Sequence, residues 1–165
     1  MIRSVKDFLN DYKYLSEGTI KIMRALTDES LNQKVYSEGR TLGFLAWHIT
    51  STIPEMFSKA GLPFNYEEDS PVPATASSIV SEYEKLSGKV AKIISQEWSD
   101  SMLDDDLNMY GQVWKRGDML QGFMVHEIHH RGQMTVLMRQ AGLKVPGVYG
   151  PAKEEWASYG MPEQK

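Results

Sequence analysis

Apolar residues recur every three or four positions along four stretches of this chain, the spacing that lines one face of an α-helix. The first stretch carries Ile2, Val5, Phe8, Leu9, Tyr12 and Leu15 and resumes at Ile22, Met23 and Leu26. The second, LGFLAWHITSTIPEMFSKA over residues 42–60, is apolar on more than one side and should be deeply buried. Pro54 inside it predicts a kink or a local adjustment, because proline lacks the amide donor and crowds the preceding turn. The third stretch, residues 76–98, has Ile79, Tyr83, Leu86, Val90, Ile93, Ile94 and Trp98 as its stripe. The fourth starts near Gly117-Asp118 and ends near Ala141, with Gly142 where a C-terminal cap is expected.

The segments between the helices decide the topology. Thr27 followed by Asp28-Glu29 has the look of a cap and first turn, but residues 35–40 (VYSEGR) lack a period and predict only a short turn. Residues 61–73 (GLPFNYEEDSPVP) could reach roughly 40 Å at about 3.3 Å per residue. A helix of about eighteen residues is only about 27 Å long. The connection can therefore run the length of a bundle and let the third helix lie parallel to the second. The expected fold is all-α, a four-helix bundle in up-down-down-up order with a long crossover between helices two and three. A short strand is possible within LNMYGQVW, between helices three and four. The tail, VPGVYGPAKEEWASYG, is turn-rich and aromatic and is expected to pack back on the bundle.

Composition narrows the function classes. A length of 165 residues suits one domain over 1–165 with a single core. The formal charge of −4 and the lack of a basic run longer than Lys115-Arg116 argue against a surface that tracks phosphates, so no nucleic-acid partner is expected. The N-terminal residues mix charged and apolar positions, without the unbroken apolar run of a signal peptide or membrane span. A soluble, cytoplasmic protein is expected. With no cysteine, the chain has no disulfide, no thiolate ligand and no nucleophilic thiol of its own; thiol chemistry would need a thiol from outside.

Three of the four histidines fall in VHEIHHRGQ, residues 125–133. On an ideal helix with His126 at zero, Met119, Phe123, His130, Met134 and Leu137 lie between about 20° and about 80°. His126 and His130 thus share the core-facing stripe. His129, near about −60°, and Glu127, near about 100°, sit at its two edges. Two imidazoles one turn apart in an apolar bundle each need a partner for a polar nitrogen. A hydrogen-bonded buried pair meets that need, and so does a shared cation. His48 in FLAWHIT also places a histidine inside an apolar helix, a third potential ligand that would leave one coordination position open. Met119, Met124 and Met134 read as core filler. Asp104-Asp105-Asp106 reads as a solvated loop.

Residues 126–130 also match the metalloprotease pattern HExxH, in which Glu127 would be the general base and Glu154 or Glu155 the downstream ligand. That reading needs an open cleft with an edge strand, of which the sequence gives little sign. The longer strings HEIHHRGQMTVLMRQAGLKVPGVYGPAKEEW and RTLGFLAWHI resemble the DinB family of small four-helix metal-binding proteins, over nearly the whole chain. The family name refers to damage-inducible expression and implies no DNA binding.

The resemblance implies a bundle with a long crossover after helix two, often a homodimer, and ligands that map onto His48, His126 and His130. It implies a divalent ion, described in relatives as zinc, nickel or another metal. Relatives of known activity resemble transferases that use low-molecular-weight thiols such as bacillithiol or mycothiol. A small-molecule substrate and such a thiol are then the expected partners, since a divalent ion with a free site lowers the pKa of a bound thiol. Metal binding without catalysis, and HExxH hydrolysis, are the alternatives. Of the remaining residues, Glu127 could be a general base or an outer partner to a histidine nitrogen, at a semi-exposed position. Arg131 reads as a surface ion pair or substrate-orienting group, and Gln133 as a support. Gly132 suggests close approach of a neighbouring helix or partner subunit, since glycine weakens a helix by roughly 1 kcal/mol. Trp47 reads as core, and Tyr149 and Trp156 as a cover over the site. Because ligating imidazoles must be neutral, metal affinity is expected to fall as pH drops through about 6.

Overall fold

Ser4, Thr41 and Thr75 each set a helix start: their hydroxyls accept the amides of Asp7, Phe44 and Ser78, donors that a first turn leaves free. Behind these caps the computed structural model, which describes residues 2–162, forms α1 (Val5–Met23), α2 (Leu42–Lys59) and α3 (Ala76–Glu97). A hairpin of β1 (Asp106–Met109) and β2 (Gln112–Lys115) precedes α4 (Arg116–Gln140). Short 3-10 turns occupy Glu29–Asn32, Asp100–Asp104 and Lys153–Tyr159.

The helices form a ring in which α1 and α2 each pack against both α3 and α4. Their directions follow from cross-links. The Val5 amide donates to Asp100, beyond the end of α3, and the Ala76 amide at the start of α3 donates to Asp28, beyond the end of α1, so α1 and α3 are antiparallel. Tyr12 meets Phe123 while Thr19 meets Glu127, which makes α1 and α4 parallel. His48 meets His130 while Phe57 meets Phe123, which makes α2 and α4 antiparallel. Helices two and three are therefore parallel, and the crossover spans the bundle as its length allowed. Leu62 and Phe64 anchor that connection in the core. The core is lined by Phe8, Tyr12, Ile22, Phe57, Ile79, Tyr83, Ile94 and Phe123, all of them essentially inaccessible to solvent.

Several local expectations change. The residues after Thr27 form a single 3-10 turn, and Asp28 caps α3 across the bundle instead of its own turn. The single possible strand is a two-stranded hairpin with Leu107 opposite Trp114 and Met109 opposite Gln112. Its two-residue turn, Tyr110-Gly111, has φ of 55° and 78°, the positive pair that matches hairpin twist. Glycine takes this conformation freely, whereas tyrosine does so only under strain. Helix α2 continues through the buried Pro54 as one element. The tail does return to the bundle: Val148 accepts from the Tyr14 hydroxyl, Gly147 accepts from Lys21, and Glu154 pairs with Arg139. Among the described residues no helix is long and apolar enough to cross a membrane.

Candidate metal centre

Two facing helices bring the distant histidines together. On α2, buried Leu45, Ala46, Ile49 and Ile53 fix the helix against the core, and this rotation turns His48 toward α4. On α4, His126 and His130 stand one turn apart on the side facing α2. The Nε2 atom of His126 lies 3.1 Å from Nε2 of His48 and 3.1 Å from Nε2 of His130. One ligand nitrogen from each of the three falls within 4.8 Å of the others.

Hydrogen bonding alone satisfies this cluster poorly. His130 Nδ1 lies 2.8 Å from Gln133 Oε1, which can only accept, so His130 carries its proton there and aims a bare lone pair inward from Nε2. The Gln133 amide nitrogen then donates to His129 Nε2 at 3.1 Å. A single proton on His126 Nε2 could serve His48 or His130 but not both. A cation accepts all three lone pairs, and two ligands bound tetrahedrally at about 2.0–2.1 Å would stand about 3.3 Å apart, close to the spacing seen. The three residues therefore fit a metal ion. Gln133 would be the outer support that fixes the tautomer of His130 as a ligand. His126 Nδ1 is buried without a hydrogen-bond partner.

Burial, and then the neighbouring rings, hold the His48 and His126 imidazoles down at about 4. His130 is lowered too, chiefly by burial, against the opposing pull of Gln133. The rings are thus neutral and ready to ligate well below the ordinary histidine value near 6.5. Lowered imidazoles move the onset of proton competition with a cation below the ordinary histidine range. For the metal-free protein the sign is definite. Between about 4 and about 6.5 the unfolded chain binds more protons than the folded one, so acidification favours unfolding. The stability contributed by these neutral rings should be complete above pH about 6.5 and lost toward pH about 4. Urea midpoints of the metal-free wild type, compared across that window with His48→Gln, check this. The difference between the two should narrow or reverse on acidification; a constant difference contradicts it.

Two clefts open onto the cluster and a third lies beside it, behind Gln133. One, of about 560 Å³, lies under the hairpin and is lined by His48, Thr52, Met56, Trp114, His126 and His129 among others. A second, of about 420 Å³, lies between α2 and the crossover and takes in Trp47, His48, Ser51 and Tyr66. Glu55 lines both, and its carboxylate accepts the Tyr110 hydroxyl at 2.9 Å. The third, of about 510 Å³, includes Arg40 and Gln133.

Other candidate residues fall elsewhere. Glu127 is 1% exposed and points from the neighbouring edge of α4 toward α1 and α3, where Oε1 accepts from Thr19 at 2.6 Å and from Tyr83 at 2.5 Å. Its semi-exposed placement is thus corrected; the contribution of α1 and α3 to that side could not be read from α4 alone. Burial pushes its carboxyl upward, opposed by those two donors and by Arg131. Arg131 is likewise buried, donating to the Leu15 carbonyl at 2.9 Å and to Thr19 at 3.0 Å. Tyr149 covers that guanidinium, at 4.9 Å from its ring centroid, and not the histidines. Trp156 lines none of the three clefts. Glu154 is bound to Arg139, and Glu155 accepts the amides of Gly147 and Ala152, so neither joins the cluster as a ligand. A Cβ at Gly132 would meet nothing within 4 Å, so no neighbouring helix of this chain explains it. Trp47 is half-buried, with its indole donating to Ser70, and forms a cleft wall.

The geometry defines a class: a helical bundle, with a small hairpin, holding three histidines that could bind a metal ion. The comparisons narrow it, for the DinB family model matches residues 1–165, and the chain belongs to that family. It is 42% identical over 166 residues to the Bacillus subtilis (strain 168) protein named "Uncharacterized protein YrdA", covering 100% of this chain and 99% of that one. A DinB-like protein from Bacillus cereus ATCC 10987 has a similar crystal structure. Its TM-score is 0.86 at 42% identity, covering 90% of this chain and 100% of that chain. The DinB-like protein YjoA of Bacillus subtilis shares the fold at a TM-score of 0.68 and 17% identity, over 86% of this chain and 97% of that chain.

Proposed function

We propose that this protein is a metal-dependent enzyme that joins a low-molecular-weight thiol to an electrophilic small molecule. The observation that carries the reading is the convergence of three imidazole Nε2 atoms at a point opening onto two clefts. His48, His126 and His130 would hold a divalent ion, zinc or nickel being the ions that imidazole and the family favour. Such an ion supplies an acidified binding position for a thiol at neutral pH.

The protein's own groups then do the remaining work. Gln133 orients His130. Met56, Trp114 and Val125 give the hairpin cleft an apolar wall that excludes water and suits the carbon framework of an acceptor. Glu55, between the two clefts, is positioned to take the thiol proton and return it to the leaving group. Glu127 is a structural carboxylate in this reading, because both of its bonded donors come from α1 and α3 and not from the histidine cluster. An HExxH hydrolase would need that carboxylate at the metal.

A homodimer fits the outer face of α4, where Ile128 is exposed beside the uncontacted Gly132. Nothing in the basic-residue pattern favours nucleic acid. The test is thioether formation by metal-loaded protein supplied with a panel of small thiols and an aromatic electrophile. A rate that needs the metal and disappears in His126→Ala is expected. Rates equal to those of metal-free protein across the panel would leave a metal-binding protein without this catalysis.

A further inference from the structure

We propose that Arg40 is the anion anchor of the histidine centre, binding a carboxylate of the small molecule whose donor atom faces the three Nε2 atoms. The inference rests on the reading that the site takes a small thiol, and it adds that this thiol carries a carboxylate.

The argument begins with charge. All three clustered ligands are imidazoles, so a divalent ion held by them keeps its full charge. Several carboxylates around the site already accept hydrogen bonds, and Glu67 and Asp69 line the crossover cleft, not the one that Arg40 lines. Glu127 is bound by Thr19 and Tyr83, Glu55 accepts from Tyr110, and Glu38 accepts from Ser37 at 2.6 Å. A half-buried site of this charge favours an anionic guest and disfavours a cationic one.

Arg40 adds a fixed direction. Its guanidinium sits 4.9 Å from the centroid of Phe44, and the Phe44 ring is stacked on the His48 ring at 5.8 Å with 15° between planes. The side chain is thereby held beside the first ligand. Arg24, Arg116 and Arg139 pair with Glu84, Asp105 and Glu154, but among the described residues Arg40 has no carboxylate within ion-pair distance. It lines a cleft with Tyr36, Leu45, Gln133, Val136 and Leu137, and Gln133 is the residue that holds His130. A planar guanidinium with free donors matches a carboxylate in a two-point grip. The guest is then oriented, with its carboxylate at Arg40, its thiol at the histidines and the hairpin cleft free for the acceptor.

The test uses cobalt-loaded protein, whose near-ultraviolet sulfur-to-metal band reads thiol binding without any turnover. Wild type should bind 3-mercaptopropionate about tenfold tighter than 2-mercaptoethanol at matched thiolate concentration, as one charge-assisted contact implies. Arg40→Gln should bring that ratio to about one while leaving 2-mercaptoethanol affinity unchanged, and Arg40→Lys should retain part of it. Succinate, followed through the visible cobalt bands, is the arm that needs no thiol, and it should also weaken about tenfold in Arg40→Gln. No thiol band with either thiol, but Arg40-dependent succinate binding, would refute the thiol reading and keep the anchor. An undiminished preference in Arg40→Gln, or succinate binding indifferent to the substitution, would overturn the anchor.

Discussion

Replacing Glu127 with alanine should cost the fold about 3–5 kcal/mol, the usual penalty for breaking a buried charged network by removing one member. The capacity for metal should survive wherever the variant stays folded. The carboxylate is the shared acceptor for Thr19 and Tyr83, and the buried Arg131 donates to the same Thr19 hydroxyl. Alanine would strand the Tyr83 hydroxyl and leave the guanidinium without its balancing charge, in addition to opening a cavity. Glutamine keeps the shape and one acceptor oxygen, so Glu127→Gln should lose less. Urea unfolding beside metal titration well below the transition separates the two effects. Wild-type stability combined with lost turnover would return Glu127 to the role of base that its HExxH setting suggests.

The second large effect concerns His126. Its Nε2 is the atom that contacts both other ligands, so His126→Ala should weaken metal binding by more than the 10–100-fold typical of losing an outer partner. His48→Ala should behave similarly even though it lies on another helix. Gln133→Ala removes only the support of His130 and should fall within that 10–100-fold range. His129 is exposed and outside the trio, so His129→Ala should leave affinity unchanged. Competition with a chromogenic chelator gives these affinities directly. Equal metal affinity in wild type, His126→Ala and His48→Ala would refute the three-histidine centre.

The apolar periods of α1, α2 and α3 made those helices legible, because each buries a stripe against one core. The length of the crossover permitted the parallel pairing of α2 and α3 without requiring it. Less could be read from α4, which buries Glu127, His130 and Arg131 among its apolar residues and so mixes polar groups into its inner faces. The helical wheel put His126 and His130 on one face, since it depends only on spacing. It could not show that the neighbouring edge of α4, where Glu127 and Arg131 lie, meets polar groups from α1 and α3.

The cleft walls were also hidden. Glu55 lies seven residues beyond His48, two turns along the same helix, and that spacing is the one local signal that could have found it. Tyr110 reaches Glu55 from a turn of positive φ, and the glycine after it marks that turn as a hairpin. Arg40 lies in a segment without periodicity, and its significance depends on the stacking of Phe44 on His48.

The most direct test of the metal centre is anomalous scattering from crystals of metal-loaded protein, collected above and below the absorption edge of the bound ion. A single peak about 2.0–2.3 Å from Nε2 of His48, His126 and His130, facing the hairpin cleft, is the predicted result. A peak ligated elsewhere, or none at these three nitrogens in fully loaded protein, would contradict it.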